Sequence, residues 1–120
     1  MKKLDITLRL FSIYMLILVL TLITSIAFGQ VQVTQFNAGW NGANDVAWVN
    51  SLEDCKSIGY TDVAKDVEAQ KKYKIAVVPT IIIFKDGEEV ARFQADLSFK
   101  MVATKEEIQE AIDEILMSDF

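Results

Sequence analysis

Histidine is absent from this chain, and cysteine and proline each occur once in 120 residues. The missing histidine removes the commonest general base and the imidazole ligands of zinc, copper and haem iron. A single cysteine, Cys55, excludes a disulfide within the chain, so the fold is held by packing. Basic clusters are also missing. From Gln30 onward nine Lys and Arg stand against sixteen Asp and Glu, a net −7. Such a surface repels nucleic acid, whose binding rests on neutralised phosphates. Gly42 alone is too little for a phosphate-cradling loop. No metal and no cofactor is expected.

The one long apolar run lies at the start. Lys2 and Lys3 open a charged segment that ends at Arg9, and Leu10 to Phe28 then carries no charge. A basic start, an apolar centre and a small-residue exit are the layout of a secretory signal. Ala27-Phe28-Gly29 puts small residues where a signal peptidase reads, which would leave Gln30 as the new N-terminus. No cysteine lies near enough for a lipid anchor. The other reading is an uncleaved membrane helix, since the run nearly spans a bilayer. In both readings the basic side stays in the cytoplasm and the rest of the chain is exported, periplasmic or extracellular. The expected division is a leader at 1–29 and one domain at 30–120. Membrane contact is expected only through the leader, if it is retained.

Within the domain the clearest stretch is Ile75 to Phe93. Pro79 sits between two β-branched runs and marks the start of a strand, because it cannot donate to a ladder. Thr80–Phe84 is short, apolar and β-branched, as a strand buried on both faces should be. Asp86-Gly87 predicts a two-residue hairpin turn, and Val90–Gln94 the returning strand. Val31–Phe36 alternates as a first strand. Asn44 and Asp45 are both good helix caps, and Trp48, Val49, Leu52 and Cys55 fall on one arc of a helix over Asp45–Cys55. Cys55 is then on the buried side, either a small core residue or a thiol poised for an intermolecular partner. Asp66–Tyr73 predicts a short helix. Ala95–Ala103 is a connector whose Phe99, Met101 and Val102 either cap the core or form a sticky surface. Thr104-Lys105-Glu106-Glu107 is a capping box, and Ile108, Ala111, Ile112, Ile115 and Leu116 follow helical spacing behind it.

Val78-Pro79-Thr80, the strand Ile81–Phe84, the turn Asp86-Gly87 and the strand Val90–Phe93 together resemble the second half of a thioredoxin domain. Phe36-Asn37-Ala38-Gly39-Trp40-Asn41-Gly42-Ala43-Asn44 is similar to that family's strand end and Trp-Cys-Gly-Pro-Cys site. The resemblance runs from about Val31 to Leu116. It implies an α/β fold with a central mixed sheet, flanking helices and a cis-proline at Pro79. It also implies that Ser57–Val63 is a parallel strand. Asn41 and Asn44 stand where the family has its thiols, and Gln35 stands where it has a buried Asp that moves protons. Lys74 replaces the glycine that usually closes the preceding helix.

An amide neither attacks sulfur nor accepts electrons, so two-thiol exchange is not expected of this chain. Asn41 and Asn44 read more simply as helix caps. What the resemblance leaves is the groove, where the residue before the cis-proline offers its backbone to an extended peptide. Val78, Pro79 and Trp40 hold those positions. The expected function is a redox-inactive module that binds a protein or peptide. The alternatives are a single-thiol oxidoreductase acting through Cys55 and a membrane-tethered accessory subunit.

Overall fold

The computed structural model describes residues 9–17 and 30–118. Residues 9–17 are helical (α1) with exposed side chains. The expected processing site at Ala27–Gly29 lies outside the described residues. Among those described, no helix is long and apolar enough to cross a membrane.

The domain is built on a four-stranded sheet in the order β2-β1-β3-β4. β1 (Val31–Asn37) runs parallel to β2 (Ser57–Asp62) and antiparallel to β3 (Thr80–Lys85). β3 pairs antiparallel with β4 (Glu88–Gln94). The order of elements is completed by two short 3₁₀ helices, η1 (Gly39–Asn44) and η2 (Ala47–Ser51), and by α2 (Val67–Lys72) and α3 (Lys105–Met117).

β3 is a continuous apolar run because both of its faces are covered. Ile81 and Ile83 join Val31, Val33, Val49, Leu52, Ile108 and Ile112 on one side. Ile82 and Phe84 join Phe36, Val63, Ile75 and Val78 on the other, with Tyr73 packed against them. The Tyr73 ring stands 5.2 Å from Phe36 and 5.5 Å from Phe84. α3 is attached by Ile108 and Ile112, both fully buried. Each contributes about 2 kcal/mol of burial, more than the Thr104 cap that starts the helix (about 1 kcal/mol). That cap is present: Thr104 Oγ1 accepts from the Glu107 amide at 3.2 Å.

The turn at Asp86-Gly87 has positive φ at both residues, 52° and 85°, as a type I′ hairpin requires. Tight pairing therefore begins at once, and β4 starts at Glu88, two residues before the expected Val90. A register shift at Ile83/Phe84 bends the pair.

The predicted helix over Asp45–Cys55 does not form. Its place is taken by η1 and η2, joined through non-helical backbone at Asp45 and Val46. The cause is local. Neither short helix has a side-chain cap. The Asp45 carboxylate that would cap an α-helix instead accepts from Asn37 Nδ2 and from the Tyr60 hydroxyl. Gln35, buried at the centre of the sheet, grips the Val46 peptide from both sides. Its Oε1 accepts from Val46 N at 2.8 Å and its Nε2 donates to Val46 O at 3.4 Å. Leu52 is already extended, and Asp54 has φ 64°. The apolar arc survives in part: Val49 and Leu52 are buried, while Trp48 and Cys55 are half-buried.

α2 is capped by Asp66, whose Oδ1 accepts from Ala69 N at 3.0 Å. It ends in a Schellman turn without glycine. Lys74 takes φ 53°, with Lys74 N bonded to Lys71 O and Ile75 N to Gln70 O.

Candidate functional site

β1 ends in the core at Asn37, which is fully buried. The chain then turns through Ala38 and Gly39 into η1, with Asn41 N bonded to Ala38 O at 2.8 Å. Asn41 has φ −106° and ψ 19°, a break inside η1. Its side chain ends 5% exposed, at the centre of an amide network. Asn41 Nδ2 faces Asn37 Oδ1 at 3.0 Å, Phe99 O at 3.1 Å and Val78 O at 3.4 Å. Its Oδ1 accepts from Asn44 Nδ2 at 2.8 Å. Asn37 Nδ2 closes the ring by donating to Asn41 O at 3.2 Å and to Asp45 Oδ1. Among the described residues no buried side-chain nitrogen or oxygen is left unsatisfied.

This arrangement corrects the reading of Asn41 and Asn44 as helix caps. Their side chains bond to each other, to Asn37 and to two distant carbonyls, and the helix they were to cap is absent. Gly42 and Ala43 complete the turn, Ala43 with its side chain exposed. η1 is a kinked six-residue 3₁₀ segment, so it has no aligned first turn to stabilise an anion. Thiolate chemistry here would lack both sulfur and the field that lowers a thiol's pKa.

Asn41 also ties the turn to the segment before β3. The Val78–Pro79 peptide is cis, and both residues are buried. Pro79 O accepts from Ala95 N at 3.0 Å, which starts the 95–101 connector beside the turn. The Asp96 carboxylate shapes that connector by accepting from Ser98 N, Ser98 Oγ and Lys100 N. These bonds, led by the Ser98 hydroxyl, hold its pKa below the usual carboxylate value. Phe99, at φ 63°, is thereby placed edge-on to Trp40, ring centroids 5.2 Å apart. The two roles offered for the connector are thus divided. Met101 packs against the core, Phe99 joins the site, and Leu97 and Val102 stay exposed.

Beside the cis-proline lies a groove of about 180 Å³, walled by Trp40, Val63, Ile75, Val77, Val78 and Phe99. Trp40 is 67% exposed and stands at its rim. A larger hollow of about 390 Å³ lies between Ser51, Glu53 and α3, with Glu106, Glu110 and Asp113 in its wall. Among the described residues no group of histidine, cysteine or carboxylate side chains is arranged to hold a metal ion.

No protein-family profile and no curated protein matches the sequence. Solved structures do. A point-mutant thioredoxin from Halobacterium salinarum NRC-1 superposes with TM-score 0.60 at 20% identity, over 76% of this chain and 79% of its own. The chain is thioredoxin-like in fold. The thioredoxin of Schistosoma mansoni gives TM-score 0.56 at 23% identity, covering 79% of this chain and 85% of that one. The thioredoxin of Fasciola hepatica gives 0.51 at 25% identity, covering 79% and 89%. In this thioredoxin-like chain the Asn41 turn and Pro79 face each other across the end of the sheet.

Cys55 is elsewhere. Its neighbour Lys56 bonds to Val31 O at the start of β1, whereas Asn41 follows the end of β1. The strand between them measures about 20 Å at the usual rise. Cys55 Sγ donates to Glu53 O at 3.5 Å and packs against the core. Burial, then the charges of Asp54 and Asp113, push the thiol pKa up. The raised folded-state pKa favours the thiol form, so this contribution to stability is complete below the unfolded pKa. It is lost as pH rises through the folded value. Maleimide labelling at neutral pH is expected to be at least about tenfold slower in the folded chain than in denaturant. Equal rates would place the thiol in solvent.

Sequence reasoning missed Asn37, Asp45, Tyr60 and Phe99 as members of this site. The spacing of Asn37, Asn41 and Asn44 around one turn was the available signal. Tyr60 carries a second sign of it: burial, then Asp45 and Asp62, raise its phenol pKa.

Proposed function

We propose that the domain is an exported, redox-inactive module that binds an extended protein segment in the groove between Trp40, Val78 and Phe99. One observation carries this reading: an apolar groove with an exposed tryptophan at its rim opens beside the cis-proline, while the adjoining turn holds the interlocked amides of Asn41 and Asn44. The groove volume suits one medium apolar side chain, and the bent Val77–Val78 segment forms the wall along which an extended segment would lie. Trp40 is the anchor expected to dominate such a contact.

The test is a fluorescence titration with extended peptides that present Leu, Ile, Met or Phe, in a Trp48→Phe background so that Trp40 reports alone. Saturable binding is expected, weakened about ten- to a hundredfold by replacing Phe99 with alanine. Peptides that bind no better than a polyserine control sink the groove. In the redox arm, insulin reduction in dithiothreitol should proceed no faster with the protein than without it. Catalysis that Cys55→Ser abolishes would restore the single-thiol oxidoreductase, which the remote, raised-pKa Cys55 does not favour. The tethered accessory subunit remains tied to the leader. Intact mass of the exported protein decides it, since a start at Gln30 removes the tether.

A further inference from the structure

We propose that β2 pairs edge to edge with β2 of a second copy of this chain, antiparallel and centred on Gly59. This is independent of the groove reading. β2 is an outer strand, and among the described residues no strand pairs on its far side. An edge strand presents a row of unpaired N–H and C=O groups, and proteins blunt such edges with charge, proline or a bulge. The opposite edge is blunted: β4 begins with exposed Glu88 and Glu89, and its pairing is interrupted at Ile83/Phe84. β2 has no proline or lysine within Ser57–Asp62, runs without a register shift and leaves Tyr60 51% exposed.

The sequence of this edge is self-complementary. With Gly59 on the two-fold axis, Lys56 lies opposite Asp62 of the second copy, Ser57 opposite Thr61, and Ile58 opposite Tyr60. The two-fold repeats each pair, giving two opposite-charge contacts and two aromatic–aliphatic contacts, both favourable across antiparallel strands. Other registers lose this match. Centring on Ile58 sets Asp54 against Asp62, and centring on Tyr60 sets Asp54 against Asp66 and Ile58 against Asp62. Charge therefore selects the Gly59 register. Lys56 is exposed, and among the described residues its ammonium donates to the Gln30 side chain of its own copy, at 2.9 Å. Glycine at the axis lets the backbones approach.

The full chain carrying Cys55→Ser and Gly59→Cys, in detergent micelles under mild oxidation, should form a disulfide-linked dimer. A Cβ at residue 59 meets Thr34 Oγ1 at 3.6 Å, an ordinary contact, so the cysteine fits. Glu88→Cys in place of Gly59→Cys is the control on the blunted edge and should cross-link far more slowly. Adding Lys56→Glu should slow the Gly59→Cys reaction at least about tenfold, because both cross-copy attractions become repulsions. Equal rates at residues 59 and 88, or a rate indifferent to Lys56→Glu, overturn the proposal. So does sedimentation of the cysteine-unmodified chain as a monomer up to about 1 mM, the weak limit for so small an interface.

Discussion

Asn41→Ala is expected to lower folding stability by about 3 kcal/mol. The melting temperature should fall by about 15 °C for a domain of this size. The side chain removed bonds to Asn37, Asn44 and Phe99 together. Asn37 cannot be rehydrated, being fully buried, and its Oδ1 loses its donor. Asn44 is half-buried and can turn to water, so Asn44→Ala should cost only about 1 kcal/mol. Asn41→Asp separates shape from hydrogen-bond polarity. Its carboxyl would face the oxygens of Asn37, Phe99 and Val78, so the protonated form is favoured and the folded pKa rises above the unfolded one. Stability is then highest below the unfolded carboxylate pKa and is lost as pH rises through the folded value. Thermal melts across pH read this directly. A melting temperature for Asn41→Ala within about 3 °C of the parent would show that the network is not what holds the turn.

How far the chain could be read before it was seen folded depends on where the information sits. β3 and α3 were legible because burial leaves a local pattern: Ile81–Phe84 is an unbroken apolar run, and Ile108–Leu116 repeats at helical spacing. The Asp86-Gly87 turn was legible because two residues with positive φ leave few alternatives. The stretch from Asn44 to Cys55 was not. Its apolar spacing suits an α-helix, but the outcome turned on which groups took the Asp45 carboxylate and the Val46 peptide. Those groups, Asn37, Tyr60 and Gln35, lie on two strands. A long-range polar bond leaves no period in the sequence. The same holds for the site. The positions of Asn41, Asn44 and Pro79 followed from the resemblance, but Phe99 comes from 58 residues further along, through a connector whose shape is set by Asp96. Nothing within that connector says which wall it will join.

Arg92→Met should cost about 2 kcal/mol and loosen the groove from behind. Arg92 donates to Tyr73 O and Lys74 O, the last carbonyls of the α2 turn, and also pairs with Glu89 at 2.6 Å. The Glu89 pair is partly solvated, with side chains 22% and 40% exposed, so it contributes only a few tenths of a kcal/mol. Most of the loss comes from the uncapped carbonyls. These bonds hold Lys74 in a left-handed conformation that costs a non-glycine residue about 1 kcal/mol. Lys74 leads into Ile75–Val78, which walls the groove. Two melts test the division. Glu89→Gln should shift stability little, and Lys74→Gly should recover about 1 kcal/mol in the Arg92→Met background. If Glu89→Gln alone reproduces the whole loss, the ion pair and not the carbonyl cap secures the turn. Arg92 would then act on β4 rather than on the groove wall.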